Sequence, residues 1–93
     1  MVNRNILKIR KQLDSVDDDL LNLIKKRTKL VSLILKNKKF KNEIVDNKRI
    51  SVILKNIKKK SRKKKIDVIV TEKIWKSMIR SFIDYEYRNF DKK

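Results

Sequence analysis

Cysteine, histidine, glycine and proline are all missing from this 93-residue chain. Without cysteine there is no disulfide and no thiolate metal site, and a reducing compartment is the simplest home. Without histidine there is no histidine-based catalytic triad and none of the usual zinc ligand sets. The lack of glycine excludes a glycine-rich phosphate loop. With both strong breakers gone, the chain is suited to long uninterrupted helices. No apolar run approaches the ~18 residues of a membrane span. The opening Met1-Val2-Asn3-Arg4 lacks the apolar centre of a signal peptide. The expectation is a cytoplasmic protein without membrane contact, forming one domain over residues 1–93.

Acidic residues are scarce beside basic ones: 11 Asp and Glu against 28 Lys and Arg, a net charge of +17. Such an excess points towards nucleic acid or another anionic surface. Most of it is lysine, however, and it is accompanied by abundant isoleucine and asparagine. All three have AT-rich codons, so genome composition can raise the charge without any polyanionic partner. The charge still attracts small anions, with a strength that falls as salt rises.

The longest periodic segment predicts a first helix from about Asn5 to Lys39. Its apolar stripe runs through Leu13, Val16, Leu20, Leu23, Ile24, Leu30, Val31 and Ile34. Arg27 interrupts that stripe, one turn after Leu23 and one turn before Val31, and Lys38 follows Ile34 at the same spacing. Arg27 and Lys38 are eleven residues apart, so on a continuous helix they point the same way to within about 20°. A cation on an apolar stripe is costly unless an anion meets it. Two on one line suggest a site built for an anion; the alternative is that both reach water or pair with Asp and Glu. Arg10, a third cation, lies seventeen residues before Arg27 and points about 100° away, so it does not easily serve the same site in the same chain.

Phe40 to Val45 reads as a connection, and Asp46 as the N-cap of a second helix with Ile50, Ile53, Leu54 and Ile57 on one face. That helix is expected to dissolve into a solvated basic linker from Lys58 to Lys65. Ile66 to Val70 reads as a loop packed on the core, since no second strand is available to pair with it. Thr71 is the candidate cap of a third helix with Ile74, Trp75, Met78, Ile79, Phe82 and Ile83 on its buried side. Glu86 falls on or beside that stripe, one turn beyond Phe82; at a frayed helix end it would simply face water.

Length then bears on architecture. A first helix of about 35 residues spans about 50 Å, whereas a compact monomer of this size has a radius of gyration near 12 Å, roughly. The economical arrangement is an all-α, three-helix subunit in an intertwined homodimer, the long helices side by side and each copy's shorter helices covering the other.

The residues also carry a family resemblance. Arg10, then Leu13-Asp14-Ser15-Val16-Asp17, then Leu20-Leu21-Asn22-Leu23-Ile24-Lys25-Lys26-Arg27, resembles the opening of the all-helical, AroQ-type chorismate mutases. Lys38, the run Asp46-Asn47-Lys48-Arg49 and the segment Ile74-Trp75-Lys76-Ser77-Met78-Ile79 extend the likeness over nearly the whole chain. The resemblance implies an intertwined dimer with two shared sites. It implies a cofactor-free Claisen rearrangement of chorismate, a small dianion, to prephenate. By position, Arg10 would reach into the partner's site and hold one carboxylate, and Arg27 would hold the other. Lys38 would meet a carboxylate and the ether oxygen, with Asp46 and Arg49 lining the pocket.

This sequence departs from the family pattern at three positions. Ile50 stands where many mutases have a glutamate for the substrate hydroxyl, and Phe82 where serine is common. Both are similar to the isochorismate-pyruvate lyase branch; such a lyase, or a mutase-like enzyme on a related substrate, is one alternative reading. Glu86 stands where a glutamine commonly donates to the ether oxygen; only a protonated carboxyl could do the same. The remaining alternative is a basic helical module that binds nucleic acid through the tract Lys58 to Lys65.

Overall fold

The computed structural model describes residues 3–93. Among these, three α-helices are joined by short connections: α1 over Arg4–Lys36, α2 over Asn47–Lys63 and α3 over Val68–Asn89. A single 3-10 turn, Lys41–Glu43, sits between α1 and α2, and another, Phe90–Lys92, follows α3. The described residues contain no strand. The chain falls into two compact units, Met1–Leu30 and Val31–Lys93.

The first unit is the greater part of α1. It begins on a cap the periodicity did not identify: the Asn3 side chain accepts from the Ile6 amide at 2.9 Å, filling one of the orphan donors of a helix start. The apolar stripe expected along this segment is present. Nothing in the described chain covers it, for the apolar residues from Ile6 to Leu30 are between 41 and 63% exposed.

The second unit holds the buried interior. Leu35, at the last turn of α1, and Ile44, in the connection, are its buried apolar residues. The helix ends at Lys36, three residues before the sequence suggested. The Asn37 side chain turns back onto the Leu33 carbonyl at 2.9 Å. The amides of Asn37 and Lys38 tighten to three-residue spacing, on Ile34 and Leu35, as often happens where an α-helix runs out. Lys38 therefore stands beyond the helix, and the spacing that aligned it with Arg27 does not reach it.

The expected cap of α2 is present: Asp46 accepts from the Arg49 amide at 3.0 Å. The basic linker is not. Residues Lys58 to Lys63 continue α2 as regular helix. Lysine is a good helix former, and Lys60, Arg62 and Lys63 lie in the last turn, where the exposed carbonyl ends favour cations. The helix stops through a Schellman motif. Ile66 donates to the Ser61 carbonyl and Lys65 to that of Arg62, with Lys65 in the left-handed region at φ 59°. Glycine normally takes that position, and this chain has none.

The start of α3 is also corrected. Ile66 to Val70 is not a loop, since α3 begins at Val68, and its cap is Asp67 rather than Thr71. The Asp67 carboxylate accepts from the amides of Ile69 at 2.8 Å and Val70 at 3.4 Å. Thr71 lies one turn inside the helix, where it is buried against α2. Its hydroxyl meets that of Ser61 at 2.8 Å, and the Ser61 hydroxyl donates to the Ile57 carbonyl at 2.6 Å. The buried side of α3 is as expected for Trp75, Met78, Ile79, Phe82 and Ile83, all half-buried. Ile74, placed with them by its spacing, is 52% exposed.

Candidate active site

Within the second unit, Lys38 and Glu86 meet. The Lys38 ammonium donates to Glu86 Oε1 at 2.9 Å and lies 3.4 Å from the Ile44 carbonyl. The Glu86 side chain is 8% exposed and that of Lys38 17%. Glu86 is thus no frayed-end residue: α3 continues to Asn89, and its carboxylate is among the most buried polar groups described. Next to it, Tyr85 shares a 2.7 Å hydrogen bond with Ser32 on α1. Phe82 packs edge-on to Tyr85, ring centres 6.4 Å apart.

The backbone that carries Lys38 is firmly held. Glu43 Oε2 accepts from the amides of Lys39 at 2.6 Å and Phe40 at 2.8 Å. The Phe40 amide is the chief reason the Glu43 carboxyl is held below its usual value; the Lys39 amide and the ammonium groups of Lys93 and Lys38 act in the same direction. Ile44, two residues before the cap of α2, is 3% exposed and offers its carbonyl to Lys38. Sequence reasoning missed Ile44 and Glu43. The signal for Glu43 is an acid three residues after Phe40, the residue that precedes the turn, placed to accept from that residue's amide.

The other expected site residues fall as follows. Asp46 accepts from the Arg49 backbone amide, so Asp46 has a local structural reason as a cap; any non-proline residue would supply that amide, and the Arg49 side chain has no part in the bond. Ile50 is half-buried and lines a shallow groove between α2 and α3 with Leu54, Ile79, Ile83, Lys76 and Arg80. Arg10 and Arg27 belong to the first unit; Arg10 is exposed and Arg27 half-buried.

The Lys38–Glu86 pair offers a charge that can meet a small anion, and it includes no nucleophile. Residues 9–87 match the sequence profile of chorismate mutase type II. The chain belongs to that family. No curated protein and no solved structure matches it. As a family member it is an isomerase, converting chorismate to prephenate by a Claisen rearrangement, and the match gives no support to a lyase or to a nucleic-acid-binding module. Among the described residues no helix is long and apolar enough to cross a membrane.

Proposed function

We propose that this chorismate mutase works in the cytoplasm as an intertwined homodimer of single-domain subunits, with each site assembled from both copies. The absence of cysteine fits that compartment. The uncovered apolar stripe of α1 is the observation that carries the dimer. A run of large apolar side chains this long is not left in water by a stable soluble monomer.

In this reading the partner subunit's Arg10 and the same chain's Arg27 clamp the two substrate carboxylates. A planar guanidinium fork suits bidentate binding of a carboxylate, and a lysine suits a point charge at an oxygen. Lys38 addresses a carboxylate and the ether oxygen. Asp46 and Arg49 line the pocket, and Ile50 and Phe82 form apolar wall. The rearrangement forms a carbon–carbon bond as the ether carbon–oxygen bond breaks, with no proton transfer and no covalent intermediate. The protein supplies a compact reactive conformation and positive charge where the ether oxygen becomes negative.

Glu86 decides how well this works. Its carboxylate and the incoming dianion compete for the same Lys38 ammonium, whose distance to Glu86 is 2.9 Å. Ionised, Glu86 opposes the developing negative charge. Protonated, it donates a second hydrogen bond to the ether oxygen.

The test is activity with chorismate, together with subunit mixing. Arg10→Ala and Arg27→Ala are each expected to be nearly inactive. Refolded together they form heterodimers in which one site carries both lesions and the other neither, so activity partly returns. Confirmed heterodimers without recovery would place both arginines in the same chain's site.

A further inference from the structure

The residues after α3 make contacts that the reaction does not call for. The Lys93 ammonium donates to the Leu35 carbonyl at 3.1 Å. That same carbonyl accepts from the backbone amide of Lys38 at 3.1 Å. Leu35 O is thus the point at which the chain leaves α1 and begins to carry Lys38, and Lys93 holds it from the other side. A cation at the carbonyl end of a helix is favourable in its own right. Lys93 is steadied there by the Phe90 ring, 4.2 Å from its ammonium, within the range of a cation–π contact. Its charge also bears on Glu43, whose carboxylate ties down the amides of Lys39 and Phe40. Lys41 closes the arrangement with an ion pair to Asp91 at 3.2 Å.

We propose that Lys93 is a positioning residue for Lys38: it fixes the Leu35 carbonyl, from which the backbone runs to that lysine, and so sets where the Lys38 ammonium sits. The inference rests on Lys38 acting on the substrate, as proposed above. Lys93 acts only through Lys38 and touches no substrate. Its effect must therefore appear at the step where Lys38 is needed most, in the transition state, and small misplacements of such a group are costly.

Steady-state kinetics on the full chain test this. Lys93→Ala and Lys93→Met should each lower kcat about tenfold, with KM changed by less than about twofold and a nearly unaltered unfolding midpoint. Lys93→Arg, which keeps a cation at the carbonyl, should recover most of the rate. In a Lys38→Ala background, Lys93→Ala should cost nothing further, because the group it positions is gone. A wild-type kcat in Lys93→Ala overturns the inference while an inactive Lys38→Ala leaves the proposed site standing. An active Lys38→Ala overturns the site and the inference together. A raised KM at unchanged kcat, or a further loss in the Lys38→Ala background, would show Lys93 acting independently of Lys38 and would also overturn it.

Discussion

Replacing Lys38 by methionine keeps the length and apolar stem of the side chain and removes its charge. The consequence can be worked from the geometry. At 2.9 Å and a side-chain exposure of 17% and 8%, the attraction between Lys38 and Glu86 is about 6 kcal/mol at an effective dielectric constant of about 20. Most of that is offset by removing both groups from water. The net value of the pair is therefore small, and the value of either member with its partner deleted is not. Lys38→Met leaves a carboxylate with little water and no ammonium, which costs about 2–3 kcal/mol. Glu86→Gln keeps a carbonyl oxygen for Lys38 to donate to and costs about 1 kcal/mol. The double substitution removes both charges and should sit close to the wild type, so a double-mutant cycle should give a coupling of about 3–4 kcal/mol. Urea unfolding followed by circular dichroism measures this, at one fixed protein concentration, because association in the proposed dimer would contribute to stability. If the two single effects add within about 0.3 kcal/mol, the pair is not a coupled unit in solution. The same Glu86→Gln protein tests the chemistry. Glu86→Gln removes a negative charge that opposes the one developing on the ether oxygen and supplies a permanent donor, so its kcat should exceed that of the wild type. A kcat unchanged by Glu86→Gln would take Glu86 out of the site.

Lys65→Gly should raise stability by about 1 kcal/mol, because it relieves a left-handed lysine at φ 59°; a loss in urea midpoint would show that the motif is not formed. Glu43 contributes to stability in a defined direction. Its carboxyl is lowered in the folded protein from a reference of 4.5, so the contribution is complete above that reference and lost as pH falls through the lower folded value. Glu43→Gln should flatten that part of the acid profile, and an unchanged profile would refute the assignment. Leu20 is 49% exposed in the single chain, so Leu20→Asp should be nearly neutral for a monomer. If a second copy covers it, the substitution should abolish the dimer in sedimentation and activity with it.

Local signals were legible wherever one residue decides one geometry. Asp46 reads as a cap because a short acceptor precedes a helical pattern, and it bonds the Arg49 amide. Glu86 reads as an acid on an apolar stripe, and it is buried at 6% exposure. Reading failed where two tendencies competed. The lysines from Lys58 onward looked too repulsive for a helix, yet like-charge pairs one turn apart cost only a few tenths of a kcal/mol each, about. The helix end offsets part of that. The β-branched run after Lys65 hid Asp67, whose capping bonds start α3 four residues before Thr71. Lys38 was placed on a helix that Asn37 ends. The carboxylate that meets Lys38 lies 48 residues away, a pairing that helical spacing alone does not reveal.

The turn between α2 and α3 has a kinetic consequence. Its hydroxyl pair joins residues ten apart, Ser61 and Thr71, and the Asp67 cap and the Ile66 amide bond are closer still in sequence. Contacts this local close at little entropic cost and form within microseconds, roughly. The hairpin is therefore the natural nucleus when the chain folds. Its formation should be first order and independent of protein concentration. In the proposed dimer, the meeting of two long first helices would be second order. In a dilute solution the rate at which active enzyme appears should then follow the frequency of encounters between chains that already carry a finished hairpin.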